Sequence, residues 1–145
     1  MRRLAHSLLV STFLFTLLFA GTTKEDASSA ARQFGSALTS GDASRLRPLL
    51  PKRGKVRVAL THIAETQGSY GSGQVEAIFR EALGRSSVRS FEASRLESDG
   101  SSFALVTCRA SVVDRQGRTA KVALHLSLQP EDGAWVVREI RESPE

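Results

Sequence analysis

The chain predicts an α+β domain in which N-terminal helices cover one face of a curved antiparallel sheet of four to five strands. Three observations carry that expectation. Four strand-length runs of alternating or apolar character follow one another: Val88–Leu96, Phe103–Val113, Thr119–Leu128 and Ala134–Ile140. The junctions are short polar turns ending in glycine, Ser98-Asp99-Gly100, Asp114-Arg115-Gln116-Gly117 and Pro130-Glu131-Asp132-Gly133, which is the chemistry of a meander. The segments of helical spacing all precede those runs, and each offers one apolar stripe to bury.

The chain has 145 residues. Met1-Arg2-Arg3 is a basic opening, Leu8–Ala20 is largely apolar, and Ala20-Gly21 supplies small residues. This is the form of a secretory signal over residues 1–21, with an uncleaved anchor as the alternative. Its thirteen-residue apolar core is short of the roughly 20 residues a spanning helix needs. The mature product would be one domain, 22–145, periplasmic or extracellular, with no transmembrane segment. Loss of Arg2 and Arg3 leaves 18 lysines and arginines against 15 acids, a net of +3 instead of +5. So mild an excess gives no reason to expect nucleic-acid binding.

Element by element, Thr23 and Asp26 have capping-box spacing, so a first helix should begin near Glu25. Ala27, Ala30, Ala31, Phe34, Ala37 and Leu38 form its stripe, and Ser40-Gly41 stops it. Asp42 can cap a short helix over Ala43–Leu50, ended by Pro51. Val56, Val58 and Leu60 alternate with Arg57 and Ala59, as in a short strand. Thr61–Gly71 reads as a continuation of that strand followed by a loop. Ser72 can cap a further helix through Leu83, with Gly84 as its stop. There Val75, Ile78, Phe79, Ala82 and Leu83 fill the helical stripe without a miss. The strands from Val88 onward complete the sheet, and Arg141–Glu145 reads as a frayed polar end.

This order resembles the cone-shaped fold of nuclear transport factor 2-like proteins, and within it the small exported bacterial domains of unassigned function. Three stretches carry the resemblance: Ala37-Leu38-Thr39-Ser40-Gly41-Asp42-Ala43-Ser44-Arg45-Leu46, Val56-Arg57-Val58-Ala59-Leu60, and Tyr70-Gly71-Ser72-Gly73-Gln74-Val75-Glu76-Ala77-Ile78-Phe79. Tyr70, Gln74 and Glu76 match the family's tyrosine and helix opening, whereas Val75 stands where alanine is usual. The resemblance implies a pocket between the concave sheet face and the helices. In isomerases and dehydratases of similar fold, that pocket holds acids, histidines or tyrosines.

The sequence supplies few such groups. Weak pocket candidates are Tyr70, His62 (with Glu65 nearby) and Trp135. His125 shares strand parity with Lys121, Ala123 and Ser127, on the face opposite the apolar set. Asp99, Asp114, Glu131 and Asp132 fall in turns, where a carboxylate stabilises the turn itself. Cys108, the lone cysteine, shares parity with apolar neighbours. A buried small hydrophobe is its favoured reading, against an intermolecular disulfide or a reactive thiol. No catalytic residue, cofactor or metal site is expected, since the two mature histidines and one cysteine lack ligand spacing.

Arg45, Arg47, Lys52, Arg53, Lys55 and Arg57 fall in a stretch without an acid. They are candidates for contact with an anionic surface or an acidic protein partner. Apolar residues on both faces of the last strand, Trp135 and Val137 against Val136 and Ile140, suggest a homodimer through the sheet. The expectation is a non-enzymatic binding or interaction module using a pocket or a sheet face. The alternative is a small pocket enzyme of the isomerase or dehydratase type.

Overall fold

The computed structural model describes residues 24–145; the expected export segment, 1–21, lies outside the described residues. Helix α1 (Lys24–Ser40) is followed by a 3-10 turn (Ala43–Leu49), β1 (Val56–Leu60), β2 (Thr66–Tyr70) and α2 (Ser72–Arg85). Four long strands complete the chain: β3 (Ser87–Ser98), β4 (Ala104–Val113), β5 (Thr119–Glu131) and β6 (Ala134–Pro144). They make one six-stranded sheet in the order β2-β1-β6-β5-β4-β3. The sheet therefore has six strands where four to five were expected, and it is mixed, because β1 runs parallel to β6.

The extra strand is β2, placed in the stretch read as a continuation of the first strand followed by a loop. Its residues, Thr66-Gln67-Gly68-Ser69-Tyr70, are polar and none is fully buried. An edge strand needs only one partner and no apolar face, so hydrophobic periodicity cannot reveal it. β1 supplies that partner in antiparallel register from Val56↔Tyr70 to Leu60↔Thr66.

The stripe of α1 is buried as the sequence predicts, from Ala27 to Leu38. Asp42 caps the 3-10 turn, its carboxylate accepting from the Ser44 N–H at 3.1 Å. In α2, Val75, Phe79 and Ala82 are buried, with Ile78 and Leu83 packed at the rim of the core. The cap of α2 differs from expectation. Gly71 is the N-cap residue, and Gln74 Oε1 accepts from the Gly71 N–H at 3.0 Å. The Ser72 hydroxyl instead donates to the Pro51 carbonyl. At its other end α2 runs through Gly84 to Arg85.

Between the helices and the sheet lies a continuous apolar core. Phe34 and Phe79 meet edge to face at 5.8 Å and 87°, the geometry ring quadrupoles favour. β4 and β5 contribute alternate residues to it: Ala104, Val106, Cys108, Ala110 and Val112, and Val122, Leu124, Leu126 and Leu128. Each large buried side chain contributes about 1.5–3 kcal/mol.

Strand β6 departs from simple alternation. Ser127 faces Glu139 while the next residue, Leu128, faces Val137, so Arg138 is one residue too many. This bulge reverses the side-chain parity of the rest of the strand. Trp135 and Val137 enter the core on one side of it, and Ile140 enters on the other. The sequence assignment of Ile140 to the face opposite Trp135 is thereby corrected. So is the frayed end, since β6 continues to Pro144.

The β5–β6 hairpin closes on Asp132 and Gly133 with φ of +51° and +79°. Two successive positive φ angles are the mark of a type I′ turn, for which Asp-Gly is suited. The β3–β4 hairpin is held by Asp99. The Ser102 hydroxyl, then the N–H groups of Ser102, Ser101 and Phe103, keep its carboxyl well below the usual carboxylate range.

Gly35 of α1 lies under Phe91 of β3. A Cβ built there would stand 2.0 Å from the ring, so this crossing requires glycine. Alanine would gain about 1 kcal/mol of helix propensity, but overpacking costs about 1–3 kcal/mol. Gly35→Ala should therefore lower stability by about 1 kcal/mol net in urea unfolding. A variant more stable than its parent would contradict this packing.

Candidate functional site

The cone's interior is filled. The core cluster is apolar among the described residues, with Phe34, Phe79, Leu46, Leu124 and Trp135 among its large side chains. Cys108 is part of this filling. Burial pushes its thiol from 9.0 up to about 12, which removes the thiolate on which reactivity depends.

Several grooves open on the surface, one of them beside His62. A groove of about 740 Å³ runs between the β1–β2 connection, the C-terminal end of α2 and the β4–β5 turn. His62 is on its floor, and Arg85 and Arg115 are on its walls. Beneath His62 is Glu142, whose side chain is only 1% exposed. One of its oxygens accepts from the His62 N–H at 2.8 Å and faces His62 Nδ1 at 2.6 Å. The other accepts from the N–H groups of Thr61, His62 and Ile63 at 3.1–3.2 Å.

That clasp follows from the bulge. With Arg138 as the extra residue, Glu142 shares the inward parity of Ile140, and parallel pairing of Val58 with Ile140 carries the chain after β1 over the carboxylate. Successive N–H groups converging on an oxyanion form a nest. A carboxylate with both oxygens engaged only accepts, so Nδ1 carries the hydrogen. Nε2 is left as the ring nitrogen with no protein partner among the described residues. Glu65, the expected companion of His62, makes no hydrogen bond to it. The real companion lies 80 positions away.

The other sequence candidates do not join His62. Tyr70 packs against the core from the far end of β2, its hydroxyl donating to the Gln67 carbonyl at 3.3 Å. Trp135 is buried at the start of β6. Neither lines the His62 groove.

The basic stretch is exposed but partly neutralised. Arg47 pairs with Glu76 at 3.2 Å and Arg57 with Glu139 at 3.5 Å. Arg45 donates to Ser40 Oγ at 3.3 Å. The backbone of this stretch is tied down by Glu131, which accepts from the Lys52 N–H at 2.7 Å and from Arg138 at 3.1 Å. Arg138 also donates to the Arg53 carbonyl at 2.7 Å. The side chains of Lys52, Arg53 and Lys55 make no ion pair among the described residues and stand in solvent. Glu131 thus does more than the turn role expected of it.

The outer sheet face carries Leu105, Thr107, Ala123, His125 and Ser127 at its centre, all half-buried. Arg109, Lys121, Glu139 and Arg141 surround them. His125 bridges the strands, Nδ1 to Thr107 Oγ1 at 3.3 Å and Nε2 to Ser143 Oγ at 3.0 Å. Burial, and then the charge of Arg141, lower its pKa from 6.5. The folded chain thus favours neutral His125. That contribution is complete above pH 6.5 and is lost as pH falls through the lowered value.

No family model matches the chain, and no curated protein does. Solved structures do. A putative dehydratase of the NTF2-like family from Streptomyces avermitilis superposes with a TM-score of 0.66 at 19% identity, over 83% of this chain and 94% of its own. The chain has the NTF2-like fold. A putative calcium/calmodulin-dependent protein kinase type II association domain from Thiobacillus denitrificans gives 0.64 at 12% identity, over 81% and 94%. A DUF4783 family protein from Bacteroides ovatus gives 0.59 at 13%, over 78% and 93%. The packed apolar core of this NTF2-like chain, among the described residues, differs from the polar pocket that the resemblance implies. Among its described residues no helix is long and apolar enough to cross a membrane, and no group of three or more His, Cys, Asp or Glu is placed to hold a metal ion.

Charge-assisted hydrogen bonds contribute about 1.5–3 kcal/mol each. Glu142→Gln keeps the shape but lacks the charge and turns an NH2 group toward backbone donors. It should destabilise the protein by about 2–3 kcal/mol in guanidinium unfolding. An unchanged midpoint would show that the clasp does not hold this end of the sheet.

Proposed function

We propose that this is an exported, non-enzymatic interaction domain that works from the outer face of its sheet and assembles there as a homodimer. The observation that carries the reading is the filled cone. Acid–base catalysis of the isomerase or dehydratase kind needs a titratable group beside a bound substrate; the core cluster of this chain is apolar, and the inward carboxylate of Glu142 has both oxygens taken by the His62 ring and by backbone N–H groups. The outer sheet face is left as the broad surface. It has a small, half-buried centre and a rim bearing both charge signs, and such a rim can satisfy itself when two copies meet across a two-fold axis.

Two further observations support it. The signal-like opening, Met1 to Gly21, favours a periplasmic or extracellular site of action. One fold neighbour is named as an association domain, which favours assembly as a use of this fold. The exposed Lys52, Arg53 and Lys55 give such a dimer a contact for an anionic surface or an acidic protein.

Sedimentation velocity at micromolar concentration tests the reading. The expected result is a dimer at pH 7.5 that weakens as His125 becomes protonated below pH 6.5, and a monomer of unchanged melting temperature for Ala123→Arg. A parent protein that sediments only as monomer, or a dimer indifferent to Ala123→Arg, would overturn it.

A further inference from the structure

The groove at the open end of the cone has a use that the filled interior and the outer face do not supply. Its lining residue His62 is anchored at two points on one carboxylate. Nδ1 is fixed on Glu142 at 2.6 Å, and the backbone N–H of the same residue is fixed on the same carboxylate. Both oxygens of Glu142 are saturated by these donors and the neighbouring N–H groups, so Glu142 cannot itself meet a ligand. Its effect is to orient the ring and leave Nε2 available, as second-row carboxylates do for functional histidines. The His62 side chain is 46% exposed, and it lines the groove.

The walls bring three guanidinium groups, and two are already satisfied. Arg85 pairs with Glu81 at 3.3 Å. Arg118 donates to Asp114 at 2.7 Å and to Gln116 at 3.3 Å. Arg115 has no carboxylate partner among the described residues. One of its terminal nitrogens donates to the Gly84 carbonyl at 3.2 Å, near the C-terminal end of α2. That bond tethers the side chain while leaving its other donors unused. An anchored imidazole with a free nitrogen and an anchored guanidinium without a direct carboxylate partner therefore share one groove, whose lining also includes the carboxylates of Glu65, Glu81 and Asp114.

We infer that this groove is a binding site for a small oxyanion, a carboxylate or a phosphate group, taken by Arg115 and by His62 Nε2. An arginine fork matches the planar spacing of two oxygens on either group, and the free Nε2 can accept from a hydroxyl on the same anion, such as the O–H of hydrogen phosphate or of citrate. Both side chains are held by contacts independent of the ligand, so little side-chain freedom is lost on binding. The groove is open to water, which keeps the affinity in the millimolar range typical of a few exposed charge-assisted contacts. The site is separate from the exposed Arg45–Arg57 stretch, and it does not depend on assembly through the sheet.

The test is a titration of the 15N-labelled protein with sodium phosphate and, separately, sodium citrate, at constant ionic strength. Amide and imidazole 15N shifts are followed. The expected result is a saturable shift confined to Thr61–Thr66, Ser86 and Arg115, with movement of His62 Nε2. Arg115→Gln, an exposed change outside the core, and His62→Gln should each weaken binding at least fivefold. Lys52→Gln should leave it unchanged. Saturation by phosphate alone or by citrate alone assigns the oxyanion class and supports the site. No saturable shift with either anion, shifts centred on Lys52 and Gly71–Gly73, or equal binding by Arg115→Gln would each overturn it.

Discussion

One surplus residue in the last strand sets the arrangement of this molecule. Arg138 has no counterpart on β5, and every side chain after it points to the face opposite the one that strict alternation assigns. Without that reversal Ile140 would leave the core and Glu142 would face solvent. With it, Ile140 packs inward and Glu142 is buried beneath the chain leaving β1. Arg138 itself is held by the Arg53 carbonyl and Glu131, so the bulge is anchored on the connection that leads into β1. The parallel pairing of β1 with β6 and the closure of the cone's end are joined at this point.

The consequence for function is a division of the surface. A cone whose interior is filled by Phe34, Phe79 and the leucines of β5 has given up the enclosed chamber and gained a single close-packed core. Glu142 is enclosed beneath the His62 backbone, while His125 and the basic stretch face outward. The polar side chains gather at the groove of His62, around His125 on the outer sheet, and along the basic stretch. The first two are held by a buried carboxylate and by cross-strand hydroxyls, whereas only the backbone of the third is tied, by Glu131 and Arg138.

Much of this fold is legible in the sequence. The stripe Val75, Phe79, Ala82 and the alternation of Val106, Cys108, Ala110 and of Leu124, Leu126, Leu128 are periodic signals, and local burial obeys them. β2 escapes because an edge strand with polar side chains carries no periodic signal. Ile140 is misassigned because a bulge changes parity without changing composition. The histidine candidate is visible but its partner is not. His62 and Glu142 meet only through the pairing of β1 with β6, and nothing local to either residue announces that neighbour. Trp135 and Tyr70 attract notice as rare residues, yet both serve packing.

Native-state hydrogen exchange on the unmodified protein addresses the central claim most directly. Thr61 and His62 lie in an exposed connection outside any strand, where amides ordinarily exchange freely. If the reversal at Arg138 buries Glu142 beneath them, their amides should be protected to within about tenfold of Ile140, a difference of about 1.4 kcal/mol in opening free energy. Exchange as fast as that of Ser101 in the β3–β4 turn would contradict the account.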